Sequence, residues 1–535
     1  MKKRLLTHAL PALAAAWSPS AFAMPPGGAV SLATDAAADF AGVSIVGRGD
    51  QLGHAMAYGD LNGDGVTDLV VGAAGTESVS VFFGPLSGTN NVSDHNAVYE
   101  GTTGSEAGWS VAVGDLTGDG IDDLIVGEPS THGGSGDVVV VEGPLADGGR
   151  YTYFSSEVIY SFYGESIPIP QFAGYDLAVG DFDGDGSTDL VVGACGAADA
   201  DPEFGDPVRR PVGVTYFFSQ GDMVPGAANG LLLGATSRIW GMGATGCAVA
   251  NAGDTNGDGL DDLLLGSPQH GSSSGSSGLA AGAVTLIEGR ESWDADYRLS
   301  TYTGTTTLRL NVLADIYTLT GPSNFGQNVG HSVAGVGDVN NDGYADILIG
   351  APAYLTSSGI VSTTLSRAYL VYGAPDASGL QGNSALTSNA ALVFVDSNAA
   401  RLGWDVSPAG DIDGDGASDY LIGSFTGAGY LYYGVNDPSF SVSYSCSGFG
   451  GCTASYPATA GLTGTLNLGD ADASFSGAGY LNTAGSPDNH AGRTLIGSPD
   501  LTGDGSPDIV IGAPGQGGFG TTNYGPGHVY VINGN

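Results

Sequence analysis

Seven stretches of the chain share one arrangement of oxygen-bearing side chains. In the first, GDLNGDGVTDLVVGA (residues 59–73), Asp60, Asn62, Asp64 and Asp68 fall within nine positions and an apolar run follows at once. Carboxylates this close repel, and a buried strand beside them would not solvate them. One copy alone would read as an ordinary Asp-Gly turn. The spacing recurs, however, at Asp115, Thr117, Asp119 and Asp123, and at Asp181, Asp183, Asp185 and Asp189. It returns at Asp254, Asn256, Asp258 and Asp262, and at Asp338, Asn340, Asp342 and Asp346. The last copies are Asp411, Asp413, Asp415 and Asp419, and Asp500, Thr502, Asp504 and Asp508.

Positions 1, 3, 5 and 9 of this motif offer side-chain oxygen along a tight loop, the donor set that calcium takes. Position 7 is expected to offer its backbone carbonyl, so its side chain varies freely: Val66, Ile121, Ser187, Leu260, Tyr344, Ala417 and Ser506. Glycine at position 6 in every copy lets the chain turn sharply. A helix-loop-helix calcium site would need Glu at position 12; Val71, Val126 and Val192 stand there, at the end of apolar strand-like runs. The loops contain no His or Cys, which disfavours transition metals. The copies at Asp181 and Asp411 bring four carboxylates each, whereas Thr117 and Thr502 weaken theirs. The expectation is up to seven calcium ions in a structural role, with binding coupled to folding.

Around these loops the chain is acidic, with a formal charge of −42. Lys2, Lys3 and Arg4, an apolar stretch and Ala21–Ala23 read as an export signal over residues 1–23. Its removal would take the charge to about −45, which opposes binding to nucleic acid or an anionic membrane. No stretch is long and apolar enough for a transmembrane segment. The expected location is outside the cytoplasm: secreted, extracellular or cell-surface, with the periplasm as an alternative. Cys446 and Cys452 flank SGFGG and are expected to close a small disulfide loop. Cys195 and Cys247 sit at the edges of neighbouring repeats and pair if those edges meet; free thiols are the alternative.

Successive first aspartates lie 55, 66, 73, 84, 73 and 89 residues apart. Such periods, rich in short strands and glycine turns, indicate propeller blades. Each period offers a strand before the loop, an unalternating apolar strand after it, a third beginning at glycine and a variable fourth. The fold expected is therefore all-β: a single seven-bladed β-propeller of four-stranded antiparallel blades over residues 24–535. The last repeat lacks a fourth strand, and the unassigned segment 36–47 is expected to supply it and close the ring. Length varies most in 197–235, 270–312 and 352–390, which read as surface loops.

The repeats resemble the FG-GAP family, whose best-known members are the N-terminal propellers of integrin α subunits. The resemblance rests on Leu52-Gly53, Phe325-Gly326 and Leu402-Gly403 before the loops, the acidic loops themselves, and Gly350-Ala351-Pro352 and Gly512-Ala513-Pro514 after them. It implies β-hairpin calcium loops on one face. A second set, following the first-strand glycine, is His54, Trp109, Tyr175, Cys247, His331, Trp404 and Arg493. These are expected to ring one mouth of the central channel, on the face opposite the loops. They either plug the channel or form a binding surface, since Trp and Tyr anchor partners and hold cations. The resemblance implies the second, because integrin α propellers seat a partner chain on that face through aromatic rings; Cys247 and Arg493 depart from such a cage. Gly47–Asp50, GRGD, resembles the tripeptide that integrins themselves recognise, and reads as a chance match in a chain this rich in Gly and Asp. No nucleophile elbow, HExxH or histidine cluster points to an enzyme. The function expected is a calcium-stabilised ligand-binding or adhesion module for an extracellular protein or glycan, with a calcium-dependent lectin as the alternative.

Overall fold

In the computed structural model, each acidic loop is the turn between the first and second strands of a blade. The structure describes residues 28–31, 43–46, 51–164, 170–197, 212–223, 230–231, 234–241, 243–270, 280–293, 297–299, 316–321, 327–353, 366–375, 383–386, 390–395, 401–425, 427–435, 443–446, 452–455, 464–467, 473–476, 493–514 and 527–533. Residues 1–23 and Gly47–Asp50 lie outside them.

The second strands are Asp68–Ala73, Asp123–Glu128, Asp189–Ala194, Asp262–Ser267, Asp346–Ala351, Asp419–Ser424 and Asp508–Ala513, and every residue in them is buried. Each lies between a first and a third strand and packs both faces against neighbouring blades, so an unalternating apolar run is what it needs. One core, for example, joins Val70 and Val81 of blade 1 to Leu124 and Val139 of blade 2.

Seven sheets result, each with four antiparallel strands. In blade 7 the fourth is Val43–Val46, which pairs antiparallel with His528–Asn533, so the N-terminal segment closes the ring as expected. Sequence reasoning missed a fifth strand in every sheet. The connection between third and fourth strands lends a short parallel strand to the outer edge of the preceding blade. Gly149–Thr152 thus pairs with Ala97–Glu100, and Thr89–Asn91 pairs with Val43–Val46 across the closure. Gly28–Ser31, at the chain's start, does the same for Ala473–Ser476 of blade 6. Three spans read as loops also need correction. They contain the third strands Val214–Phe218, Ala283–Ile287 and Arg367–Val371 and several of these parallel additions.

The paired glycine elements have a common physical cause. A Cβ placed on Gly72 would lie 2.3 Å from the carbonyl oxygen of Gly108 in the next blade, and one on Gly512 would lie 2.4 Å from that of Gly53. Strand two of one blade and strand one of the next therefore touch backbone to backbone, which only glycine permits. In blade 5 the contact falls on Gly330 against Gly266, so Val329-Gly330, and not Phe325-Gly326, is the first-strand element there. Phe325 and Gly326 lie outside the described residues. Cys195 and Cys247 form a disulfide, joining blade 3 to blade 4. Ser443–Cys446 and Cys452–Ser455 pair with Cys446 opposite Cys452, while their side chains lie outside the described residues.

Candidate metal centres and partner face

The acidic loops share one hydrogen-bond scheme. In all seven, the position-1 carboxylate accepts the N–H of the position-6 glycine, as Asp60 does from Gly65 at 2.8 Å. The position-5 carboxylate accepts the N–H of position 7, from Val66 through Ser506. Position 9 accepts the N–H of position 2, closing the loop's base. Its second oxygen takes an N–H from the exit of the third strand in six blades, as Asp68 does from Gly84. The position-9 aspartates therefore tie three strands together, and all seven are fully buried.

This burial strains the carboxylates electrostatically. It pushes Asp68 and Asp262 up to about 6, and Asp123, Asp189 and Asp419 up to about 7. Asp346 is raised well above the ordinary range for the same reason. Backbone N–H donors oppose the shift in each case, while neighbouring loop carboxylates add to it.

Two loops fit a cation most directly. In the third, one oxygen from each of Asp181, Asp183 and Asp185 lies within 4.8 Å of the others, and the sixth gathers Asp411, Asp413 and Asp419 in the same way. In every loop but the third, the sixth included, the position-1 Oδ1 is occupied by backbone N–H groups, as Asp60 Oδ1 is by Gly63 and Asp64 and Asp411 Oδ1 is by Asp415. Asp181 Oδ1, by contrast, is buried without a partner. A buried carboxylate oxygen left bare costs free energy that a bound cation would offset. These are the loops with four carboxylates in sequence.

The first-strand set lies at the inner start of the blades. The rings of His54 and Trp109 are 4.5 Å apart and those of Trp109 and Tyr175 are 5.3 Å apart, forming one arc over blades 1 to 3. His331 and Trp404, also at 4.5 Å, begin a second arc, which Phe425 extends at 4.5 Å from Trp404. Arg493 stacks 5.5 Å from the Trp404 ring centre and 5.7 Å from that of Phe425. The ring is broken at Cys247, whose sulfur is spent on the disulfide. All seven side chains are half-buried, so each keeps some solvent contact. Deep surroundings and the Arg493 charge nonetheless push His54 down to about 4, and burial chiefly does the same to His331. Both imidazoles are neutral at pH 7, leaving as cations Arg493 and Arg401, whose guanidinium lies 4.7 Å from the Phe425 ring centre.

The FG-GAP-like repeat family matches residues 60–126, and the FG-GAP repeat family matches 248–287, 329–363 and 491–532. The repeats these spans cover, in blades 1, 2, 4, 5 and 7, are FG-GAP repeats. Integrin alpha-V of Gallus gallus is 27% identical over 300 residues, covering 56% of this chain and 24% of that protein. Integrin alpha-5 of Xenopus laevis is 27% identical over 248 residues, covering 46% and 20%. Integrin alpha-PS2 of Drosophila melanogaster reaches 31% over 170 residues, covering 31% and 11%. The chain thus spans a quarter or less of the length of these relatives.

Several residues of this propeller escaped sequence reasoning. Asp122 and Asp261, at position 8, accept the backbone N–H of Asp60 and Asp181 in the preceding blade. Their signal was that only these two copies carry an acid there. Phe425 stands where other repeats have Pro, Ala or Cys, which marked it as exceptional. Asp176 and Asp405 follow the ring residues and accept the N–H of Val249 and Leu495 in the next blade. Burial pushes both carboxyls up to about 7.

Proposed function

We propose that this integrin-α-like propeller is an exported, calcium-stabilised binding module that seats an extracellular protein or glycan on the mouth lined by His54, Trp109, Tyr175, His331, Trp404 and Arg493. The observation that carries this reading is the partial exposure of two aromatic arcs, the second of them stacked with Arg401 and Arg493. A plug would pack these rings dry; half-buried rings offer flat faces to a partner. Calcium in the loops of the opposite face would hold the blades in register, with Asp181, Asp183, Asp185 and Asp189 and Asp411, Asp413, Asp415 and Asp419 as the strongest sites. The export signal over residues 1–23 and the span 24–535 as one propeller belong to the same proposal.

Binding is favoured over catalysis because the two histidines of the arcs are neutral and held by packing. The single Gly-x-Ser-x-Gly string, Gly271–Gly275, lies in a Ser/Gly run outside the described residues. The test screens the calcium-loaded protein against a glycan array and a panel of displayed extracellular proteins, beside a Trp109→Ala/Trp404→Ala double variant. The expected result is calcium-dependent binding that the double variant loses while keeping its melting temperature. A variant that melts far lower yet binds unchanged when folded would make the arc a plug.

A further inference from the structure

The second strand of blade 2 ends at Glu128 and its third begins at Asp137, and the strand register sets the two directly opposite. Their side chains are 1% and 2% exposed. Like charges opposed across a strand pair destabilise it, and burial magnifies the cost. In the six other blades the position of Glu128 is held by Ala73, Ala194, Ser267, Ala351, Ser424 or Ala513. Nothing in the propeller's architecture therefore requires an acid there.

Glu128 is only half satisfied. Its Oε1 accepts the Tyr99 hydroxyl at 2.7 Å, while its Oε2 is buried with no partner. Asp137 Oδ1 lies 3.1 Å from His132 Nδ1. Both carboxylates line a cavity of about 370 Å³ between the outer part of blade 1 and the second hairpin of blade 2. Its rim carries Tyr153 and Phe154, whose rings meet edge-on at 5.3 Å, and Phe154 is 86% exposed. Only His132, when protonated, offsets the pair, and the other charged groups nearby do not. Glu77 binds the Gly104 N–H, Glu106 binds the Ser130 hydroxyl, and the lining contains no lysine or arginine.

We propose that this cavity binds a stalked organic cation, a guanidinium or primary ammonium on an alkyl stem. Its head would lie between Glu128 and Asp137, and its stem against Tyr153 and Phe154. The bare Oε2 supplies the acceptor that such a head needs, and the aromatic rim supports both stem and charge. A divalent metal fits less well: among the described residues, carboxylates gather in threes only in the acidic loops. Burial does raise both carboxyls, Glu128 to about 7, which is the stress a bound cation would relieve.

The test titrates the calcium-loaded full chain at mildly alkaline pH with agmatine, with neutral butylurea as control, followed by calorimetry. Saturable agmatine binding is expected, with none for butylurea. Affinity should fall tenfold or more in Glu128→Gln and severalfold in Phe154→Ala, a surface change that leaves the fold intact. A blocked tripeptide, Ala-Arg-Ala, separates the sources: equal binding assigns the pocket to a partner's side chain, and agmatine alone assigns it to a free small amine. Three outcomes overturn the proposal. They are the absence of saturable binding to either probe, unchanged affinity in both variants, and displacement of agmatine by added calcium in the wild type. The first leaves a proton shared between the two acids, and the last a metal site.

Discussion

Removing calcium is the most informative perturbation, because every blade turns through an acidic loop. A ligand that binds only the folded state at a hundred times its Kd stabilises it by about 2.7 kcal/mol. Unfolding about 500 residues carries an entropy of about 1 kcal/mol per kelvin at about 2.1 cal/mol/K per residue, so one such site is worth about 2.5 °C in Tm. The two loops whose oxygens already converge, at Asp181 and Asp411, would together contribute about 5 °C. All seven, if independent and filled to that degree, would contribute about 18 °C. The prediction is a Tm in excess chelator lower by about 5–18 °C than in saturating calcium, followed by circular dichroism or calorimetry. Magnesium should restore less, because it holds its waters and demands a rigid octahedron. Asp181→Asn should remove a share of the shift that Asp60→Asn does not, since only Asp181 has the bare buried oxygen. Superimposable melting curves in chelator and calcium would refute the reasoning, and so would full rescue by magnesium.

Deleting residues 24–47 should strip blade 7 of Val43–Val46, expose the edge of His528–Asn533 and drive aggregation, measured by light scattering; a monomeric, equally stable truncation would place the closure elsewhere. Gly193→Ala should destabilise by several kcal/mol, because its Cβ would fall 2.2 Å from the Gly246 carbonyl oxygen, and a denaturant midpoint near wild type would contradict that contact. Reducing Cys195–Cys247, or replacing Cys247 with Ser, should cost about 2–4 kcal/mol by releasing blade 3 from blade 4, read from urea unfolding. The pH dependence of Asp176 follows from its sign. Its folded carboxyl is raised to about 7, so the folded chain holds a proton that the unfolded chain releases near pH 4, and stability falls as pH rises through that window. Asp176→Asn should therefore gain on wild type between about pH 4 and 7, by at most about 4 kcal/mol, and a difference that is flat with pH would oppose the assignment.

The repeat, and with it the propeller, was legible in the sequence because its causes are local. An acidic turn, a glycine and an unalternating strand need only a few residues each, and repetition sevenfold removes the ambiguity of any one copy. Ring closure was legible for a similar reason, since a missing fourth strand at one end and an orphan strand at the other leave one consistent pairing. What depends on neighbours in space was not. The parallel strand that each blade lends to its predecessor has no fixed motif, and pairs by backbone alone along an edge that only the assembled ring creates. That position 9 is also a buried tie between three strands was not visible, because the third strand's exit returns to that point only in the fold. The glycines of strands one and two were visible as a pattern, but their reason, backbone contact across blades, exists only between repeats far apart in the chain. Glu128 and Asp137 show the same limit. Glu128 departs from the Ala or Ser of the other repeats, but Asp137 lies nine residues on, and it is the register of a buried hairpin that opposes their charges.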